Sequence, residues 1–450
     1  MNKTLHFFKE IAKIPRESGN EANIAKYLVR FAKERNLFYF EDEYHNVIIK
    51  KVDKRFPCLI LQAHTDMVCV SDIANFDFDK MPIQIQEIDD YLSAINTTLG
   101  ADNGIGVAQI LNVLDSDFPC NIEAVFTTSE ETTMDGAIHL DSTLLSGKYL
   151  LNLDGFEENT ILTESAAYYD LFIEPKERKT KKGQYEHSYF IFLSGLLGGH
   201  SGYDINKKRG NAILLMAELL KSIDGEVICI DGGTKNNVFP SKAEAIINSD
   251  ESIILSKISS FLDKYQKKYP NLAVTFHEID FHSHYYSNSS LLLDFLVKFP
   301  SKALYFNEKK LVTTSLNLGV IHDQRLEIGL RSSRENEANI TLEKLKAYAE
   351  CYNFTLQIIG YQPGFYSDAN SSFVKLLQDS SPYSKVPNVT LAHITVEVGF
   401  FQEKMKDLQV AIISSKILNA HSTKECVSIT SISLTDQWLF SFIEKFNKFM

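Results

Sequence analysis

The sequence lacks the features that point to a membrane, a disulfide scaffold or a nucleic-acid partner. Its 450 residues contain no apolar run approaching the roughly 20 residues of a membrane span. The six cysteines are scattered without a CxxC pair, and no segment resembles a secretory signal, so we expect reduced thiols and a cytoplasmic protein. The formal net charge of −12 argues against nucleic acid or an anionic membrane as a partner.

The composition and length of the sequence predict a globular protein of more than one domain. A hydrophobic content of 44% and a charged content of 23% are typical of chains that bury a sizeable interior. A chain of this length is too long for one ordinary hydrophobic core. We therefore expect two domains, with three as the alternative.

The pattern of secondary-structure signals changes twice along the chain. From about 37 to 165, β-rich runs alternate with helical stretches, which favours a largely parallel sheet. Residues 166–361 differ, with strand-like runs between amphipathic helices. Three helices are predicted there, at about 211–223, 251–267 and 337–352. The predicted fold is an α/β domain with a mixed, mostly parallel sheet flanked by helices, formed by residues 1–165 and 362–450 and interrupted by an inserted α+β domain.

Acidic and imidazole side chains stand in five clusters where short apolar runs end. The residues concerned are His64, Asp66, Asp102, Glu130, Glu131, Asp154 and His421. In an open α/β sheet, ligands gather outside the carboxyl ends of the strands. Two histidines and three carboxylates form a ligand set for a pair of zinc-like ions, with one carboxylate bridging. The five clusters together therefore predict one dinuclear metal site and a hydrolase.

Two pairs of neighbouring residues suggest a division of labour. At a strand end, His64 and Asp66 point to the same face, so the imidazole can bind a metal while the carboxylate orients it. Glu130 and Glu131 are adjacent and point in different directions, which suits one metal ligand and one general base. The alternatives are a surface histidine beside a capping aspartate, and a solvated acidic turn.

The other cluster residues also have non-catalytic alternatives. Asp102 lies at or just before the start of a predicted helix, where the helix dipole favours a carboxylate without any metal. Asp154 ends an apolar run and could be a turn residue. His421 could be a loop histidine.

The inserted segment contributes candidates for substrate binding. A glycine-dense turn presents His200, and such density suits close backbone approach to a ligand. Asn237 adds an amide, and Arg331 and Arg334 add guanidinium groups. An arginine can grip a peptide carboxylate through two parallel hydrogen bonds. A flexible loop and solvated arginines are the alternatives.

Longer stretches carry a family resemblance. They are residues 14–21, 61–68, 97–106, 198–202, 209–212, 234–237, 396–401 and 421–422, and the string Thr-Thr-Leu-Gly-Ala-Asp-Asn-Gly-Ile-Gly at 97–106 is the most specific. In these stretches the chain resembles the M20 metallopeptidases, most closely the aminoacyl-histidine (Xaa-His) dipeptidase branch. The resemblance covers nearly the whole sequence.

The resemblance implies two divalent metal ions, zinc in the first place and manganese or cobalt otherwise. It implies His64 and Asp154 for one ion, Glu131 and His421 for the other, and Asp102 as the bridge. Glu130 is then the general base, and Asp66 orients His64. The resemblance further implies a cis peptide between Asp102 and Asn103.

The resemblance also implies an activity and a role for the insertion. The expected reaction is hydrolysis of dipeptides of the Xaa-His type, including β-alanyl-histidine. The binding partner is then a small peptide substrate, and the expected assembly is a homodimer. The insertion is then a lid, on which His200 stabilises the oxyanion, while Asn237 and Arg331, rather than Arg334, contact the substrate backbone and carboxylate.

Rival functions remain open at this point. Departures from the branch, such as residues 69–71 after the first cluster, leave the histidine preference unsettled. An M20 tripeptidase or an N-acyl amino acid deacylase would share the fold and metals. A catalytically silent binding protein on the same scaffold is less favoured, because neither Glu130 nor a ligand is lost.

Overall fold

The computed structural model describes residues 2–449. The chain forms two compact units. The first contains the residues up to Ser165, Pro363–Ala392, and those from Val396 onward. The second contains Ala166–Gln362 and His393–Thr395.

The secondary-structure elements are numbered in chain order. The helices are α1 Lys3–Ile11, α2 Ala22–Glu34, α3 Ala101–Leu114, α4 Asp135–His139, α5 Ala212–Ser222, α6 Glu251–Tyr265, α7 Ser289–Lys298, α8 Glu335–Cys351, α9 Ser372–Ser380, α10 Val398–Lys404 and α11 Ile429–Phe446, with short 3₁₀ turns at Ser142–Leu144 and Ile205–Lys207.

The strands of the first unit are β1 Phe38–Glu41, β2 Val47–Lys51, β3 Cys58–His64, β4 Ile85–Ile88, β5 Tyr91–Ala94, β6 Asn121–Thr127, β7 Tyr149–Asn152 and β8 Thr160–Ser165, then β20 Asn388–Ala392, β21 Gln409–Ile412, β22 Ile417–Leu418 and β23 Cys426–Ser428. Those of the second unit are β9 Ala167–Pro175, β10 Thr180–Lys182, β11 Ser188–Ser194, β12 Gly225–Gly232, β13 Ala243–Ser249, β14 Ala273–Ile279, β15 His284–Tyr286, β16 Lys302–Phe306, β17 Val312–His322, β18 Arg325–Ser332 and β19 Phe354–Gln362.

An eight-stranded mixed sheet forms the centre of the first unit, in the order β1-β2-β6-β3-β7-β21-β8-β20. The four central strands β6, β3, β7 and β21 run parallel to one another. Their apolar runs are buried on both faces, as expected for strands covered by helices on each side. A smaller four-stranded sheet has the order β22-β23-β5-β4. The predicted α/β class is confirmed.

Helix α3 is the most deeply placed helix of the first unit. All of its residues are buried, which fits a helix that is apolar nearly all round. The surrounding core includes Phe8 on α1, Phe126 on β6 and Trp438 on α11, all fully buried. Asp102, in the first turn of α3, is itself only 5% exposed.

The second unit is built on a nine-stranded antiparallel sheet. Its order is β14-β11-β13-β12-β17-β18-β9-β19, and β16 pairs with β17. Helices α5, α6, α7 and α8 contribute to its own hydrophobic core. Helices α5, α6 and α8 lie close to their predicted bounds. Helix α7 was not predicted, because its clustered leucines and phenylalanine, a short apolar run, suit a strand as well as a helix.

Among residues 2–449, no helix combines the length and apolar character that crossing a membrane requires.

Candidate metal centre

Three neighbouring parallel strands bring the first candidates to one edge of the sheet. In the pairing of β3 with β6, His64 stands opposite Thr127, and in the pairing of β3 with β7, Gln62 stands opposite Asn152. The carboxyl ends of the three strands therefore meet. The residues that follow these ends are Asp66, Glu130, Glu131 and Asp154, so they share one edge, as expected for a ligand site in an α/β sheet.

Asp102, from the first turn of α3, faces this edge and lies between two histidines. Its Oδ1 is 3.2 Å from Nε2 of His64, and its Oδ2 is 3.0 Å from Nε2 of His421. Asp154 Oδ1 lies 3.7 Å from His64 Nε2, and Glu131 Oε1 lies 2.8 Å from His421 Nε2. The structure thus brings together all five side chains that the sequence analysis proposed as metal ligands.

The five side chains form two groups that share Asp102. One group is His64, Asp102 and Asp154, and the other is Asp102, Glu131 and His421; within each, the ligand atoms lie within 4.8 Å of one another. Glu131 Oε1 is buried and lies 2.8 Å from His421 Nε2. A carboxylate oxygen and an imidazole nitrogen placed side by side are suited to sharing a cation. The donor set therefore fits two ions with one bridging carboxylate.

Asp66 supports both the histidine and the glutamate pair. Its Oδ1 is 3.3 Å from His64 Nδ1, and its backbone carbonyl is 3.1 Å from the same nitrogen. The carboxylate also accepts hydrogen bonds from the backbone N–H of Glu130 (3.0 Å) and Glu131 (3.1 Å) and from the Ser18 hydroxyl (2.7 Å). Sequence reasoning assigned Asp66 to His64 alone. In the structure it also anchors the loop that carries Glu130 and Glu131.

Burial and mutual charge shift the pKa values at this edge in opposite directions. Burial raises the pKa of Glu130 well above its usual value, although the nearby His64 opposes the shift. Burial also acts to raise the pKa of Asp102, but hydrogen bonds to His421 and His64 hold it below its usual range. Burial acts to lower the pKa of His421, but Asp102 and Glu131 outweigh it and raise the value to about 11. The carboxylates thus favour positive charge at the site.

A buried glutamate behind the candidate metal ligands was missed as a site residue. Glu397 is fully buried, and its Oε1 accepts hydrogen bonds from Gln62 Nε2 (2.5 Å) and Thr127 Oγ1 (2.8 Å). Burial raises the pKa of Glu397 to about 7. In turn, Asn152 Nδ2 donates to Gln62 Oε1 (2.5 Å), which links the ends of three strands. A polar Gln62 inside the apolar run of β3 was the signal that could have revealed this network.

The predicted substrate-binding residues lie in the second unit. Arg331 is buried, with its Nη2 3.3 Å from His200 Nε2, and its Nη1 donates to Thr395 Oγ1 (3.1 Å). Its guanidinium stacks on the Tyr168 ring at 4.4 Å. Asn237 accepts a hydrogen bond through its backbone carbonyl from the N–H of the residue after His200 (2.8 Å).

Two further observations separate these residues from ordinary surface groups. No carboxylate within residues 2–449 forms an ion pair with Arg331, although its charge is buried. The side-chain Oδ1 of Asn237 is likewise buried without a hydrogen-bond partner among the described residues. Arg334, the other candidate, donates to the carbonyl of its own neighbour Ser333 (3.1 Å).

A comparison with known families decides what kind of protein this is. The model of peptidase family M20/M25/M40 matches residues 60–445, most of the chain. The chain belongs to this family. The predicted family is therefore confirmed, and the M20 chain is a metal-dependent peptidase, a hydrolase whose structure holds a place for two ions.

Individual relatives of this M20 chain cover almost its full length. It is 30% identical to the cytosol non-specific dipeptidase of Escherichia coli (strain K12), over 94% of this chain and 93% of that protein. It resembles the crystal structure of aminoacylhistidine dipeptidase from Vibrio alginolyticus with a TM-score of 0.82 and 27% identity, over 98% of this chain and 96% of the other. A tripeptidase from Staphylococcus aureus matches with a TM-score of 0.58 and 16% identity, over 99% and 98%, which shows the fold alone.

The cis peptide expected between Asp102 and Asn103 is present.

Proposed function

We propose that this protein is a dinuclear metal-dependent dipeptidase that hydrolyses Xaa-His dipeptides, including β-alanyl-histidine. One observation carries the proposal. The two oxygens of Asp102 face two different histidines, and each histidine is joined by a second carboxylate. Glu130 lies beside this arrangement, with its carboxylate within 4.8 Å of the His64 and Glu131 ligand atoms.

The ligand roles follow from the two groups. His64 and Asp154 would hold one divalent ion, Glu131 and His421 would hold the other, and Asp102 would be shared between them. Zinc is the favoured metal, with manganese or cobalt as alternatives, because nitrogen and carboxylate oxygen donors suit all three. The chemistry that such ions supply, when bound, is Lewis acidity, which makes water more acidic and the scissile carbonyl more electrophilic.

Glu130 acts as the general base. It takes a proton from the attacking water and passes it to the leaving amine. A base works best when its pKa lies near the working pH, and burial raises the pKa of Glu130 in that direction. Asp66 holds the Glu130 backbone N–H, which fixes where the carboxylate is presented.

The second unit supplies the substrate contacts and acts as the lid. The buried Arg331, whose charge has no carboxylate partner within the described chain, binds the C-terminal carboxylate of the peptide. Asn237 contacts the substrate backbone through its unpartnered amide oxygen. His200 stabilises the oxyanion. A free C-terminal carboxylate is therefore the substrate terminus that Arg331 recognises.

The relatives support a dipeptide substrate. The E. coli relative is named a cytosol non-specific dipeptidase, and the V. alginolyticus structure is that of an aminoacylhistidine dipeptidase. The second name favours the Xaa-His preference, and the first favours a location in the cytoplasm. We extend the proposal to a homodimer, which analytical ultracentrifugation of the purified protein tests directly.

A substrate panel tests the activity. Metal-free protein is reloaded with Zn²⁺, Mn²⁺ or Co²⁺ and assayed with β-alanyl-histidine, α-linked Xaa-His dipeptides, dipeptides without histidine, a tripeptide and an N-acetyl amino acid. Cleavage of the Xaa-His peptides in preference to the rest is the expected result. Preference for the tripeptide or the N-acetyl compound shifts the assignment to those M20 activities. Absence of turnover on every substrate supports a silent binding protein instead.

Variants at two adjacent glutamates distinguish the general base from a metal ligand. Glu130→Gln is expected to lower kcat by about 10²- to 10⁴-fold while retaining both metal ions, since it removes only the proton acceptor. Glu131→Gln is the matched control, with the same change one residue later, and is expected to lose an ion as well as activity. A fully active Glu130→Gln variant overturns the base assignment.

A further inference from the structure

A buried arginine outside the ligand set binds the two chain segments that carry His64 and Asp102. Arg16 follows α1 and is only 2% exposed. Its Nη1 donates to the carbonyls of Thr65 (2.9 Å) and Asp66 (3.2 Å), and its Nη2 donates to the carbonyl of Gly100 (2.6 Å). The first two carbonyls follow His64 directly, and the third lies two residues before Asp102. One rigid guanidinium therefore ties together two loops that are far apart in sequence.

A buried glutamate holds the same loop from the other side. Glu425 is 2% exposed, and its two oxygens accept four backbone hydrogen bonds. The donors are the N–H groups of Leu99 (2.8 Å), Gly100 (3.0 Å), Ala101 (2.8 Å) and Asp102 (3.2 Å). The first N–H groups of a helix have no partner within the helix, and a carboxylate there also meets the positive end of the helix dipole. The backbone of Asp102 is thus fixed directly by a side chain that no proposed catalytic step uses.

The side chains of Arg16 and Glu425 both bind the backbone of one residue, Gly100. Arg16 binds the carbonyl of Gly100, and Glu425 binds its N–H. Gly100 has a φ of +69°, and a Cβ atom there would collide with the Arg16 guanidinium and with the Met67 sulfur. The space between the loops is therefore closed, and the backbone of Gly100 is held on both sides by a charged group.

We propose that Arg16 and Glu425 are positioning residues that set the separation of His64 and Asp102 for metal binding. This inference rests on the proposed dinuclear site. Neither side chain is a metal ligand, and both act through the backbone. Residues that orient metal ligands typically affect metal affinity or activity by about 10- to 100-fold when they are changed.

The chain offers a matched control for Glu425. Glu123 on β6 is also a buried glutamate, 3% exposed, that accepts backbone hydrogen bonds, from Ser146 (2.8 Å) and Gly147 (3.1 Å). It lies four residues before Thr127, where β6 ends, which at the rise of a strand is about 13 Å away from the metal edge. Glu123→Gln disturbs a buried carboxylate without touching a loop that carries a metal ligand.

Three variants test the proposal: Glu425→Gln, Arg16→Lys and Glu123→Gln. In Glu425→Gln, one acceptor oxygen is replaced by an amide donor that faces backbone N–H groups. Lysine at position 16 carries the charge but cannot bind three carbonyls in the planar geometry of the guanidinium. Calorimetric titration of metal-free protein with Zn²⁺ gives the affinity, and the visible spectrum of the Co²⁺ form reports the ligand geometry. Thermal unfolding of each metal-free variant measures stability separately.

We expect Glu425→Gln and Arg16→Lys to change the metal affinity, and the control Glu123→Gln to change only the thermal stability. Glu425→Gln and Arg16→Lys bind Zn²⁺ about 10- to 100-fold more weakly and alter the Co²⁺ spectrum. Glu123→Gln unfolds at a lower temperature but retains the affinity and spectrum of the wild type. In metal-free Glu425→Gln, the amides of residues 99–102 exchange with deuterium faster than in the wild type.

The outcomes distinguish this proposal from the proposed function. Wild-type metal affinity in both Glu425→Gln and Arg16→Lys overturns the positioning roles and leaves the dipeptidase assignment standing. Failure of the wild type to bind metal overturns the proposed function, and amide exchange in the metal-free protein then decides whether Glu425 holds residues 99–102. If Glu425→Gln does not fold, Arg16→Lys, which retains the charge, carries the affinity test alone.

Discussion

Asp102 joins the two histidines of the candidate centre, with Oδ1 3.2 Å from His64 Nε2 and Oδ2 3.0 Å from His421 Nε2. His421 comes 319 residues after Asp102 in the sequence. One buried carboxylate therefore connects the end of a central strand with a loop near the other end of the chain. Any change to this side chain acts on both halves of the site at once.

Asp102→Asn is expected to lose both metal ions. An amide has one neutral acceptor oxygen and cannot bridge two cations. Asp154→Asn is the comparison, because it belongs to the His64 group alone and is expected to retain the ion held by Glu131 and His421. Metal content after dialysis, measured by atomic emission, gives the stoichiometry of each variant. Two ions retained by Asp102→Asn would contradict a bridging role.

Arg331→Lys is expected to raise KM about 10- to 100-fold with little change in kcat. Lysine keeps the charge but loses the two parallel hydrogen bonds to a carboxylate, and hydrogen bonds to charged groups are worth roughly 1.5–3 kcal/mol. Steady-state kinetics on a dipeptide and its C-terminal amide provide the test, because the variant should discriminate against the amide less strongly than the wild type does.

Arg325→Lys serves as the control for Arg331. Arg325 lies on the same strand β18, but its side chain is exposed and stacks on the ring of Phe172 at 3.7 Å. It is expected to leave KM unchanged. An unchanged preference for the free carboxylate in Arg331→Lys argues that another group binds the substrate terminus.

Gly100→Ala is expected to destabilise the protein more than Gly19→Ala. Both glycines have a positive φ, +69° and +89°, which for alanine costs roughly 1–2 kcal/mol. Only at Gly100 does the added Cβ also collide with neighbours, whereas at Gly19 no atom lies within 4 Å. Urea unfolding of the metal-free variants measures both losses. Equal losses at the two positions contradict the close packing around Gly100.

Asp436→Asn is expected to change how stability depends on pH. Burial raises the pKa of Asp436 from 3.8 to about 6, although hydrogen bonds from Thr4 (2.8 Å) and Asn2 (3.3 Å) act to lower it. In the wild type, the protonated form therefore contributes stability below about pH 4, and this contribution is lost as the pH rises through 6. Asparagine does not titrate, so the variant gains stability relative to the wild type over this window, by up to about 3 kcal/mol.

Urea unfolding of both proteins at several pH values from 4 to 7, with a chelator present, measures the difference without interference from metal release. A difference that stays constant with pH contradicts the buried, raised pKa of Asp436.

Much of the first unit followed from local patterns. Apolar runs such as that of β3 are long enough to mark central strands, and the helical spacing after Gly104 marks α3. The helices of the second unit were also predictable, except α7, whose run of apolar residues has no clear period. Periodicity reports burial of one face, so it fails where a segment is apolar throughout.

The candidate metal ligands could be found from the sequence because their chemistry is unusual at strand ends. The residues that hold these ligands in place could not be found in this way. Arg16 and Glu425 bind backbone groups, and any arginine or glutamate can do that. The sign of a buried partner such as Glu397 lay elsewhere in the sequence, in the polar Gln62 inside the apolar run of β3. Which polar residue becomes buried depends on the packing of elements remote in sequence.

Residue chemistry and chain order alone specified a two-part α/β protein and the identity of five side chains suited to metal. Only the folded chain decided that Asp102 stands between both histidines, and that Arg16 and Glu425 hold the loop before it. The reason is physical: a side chain's chemistry is local, whereas ångström-scale separation between atoms from distant segments is set by strand register and core packing.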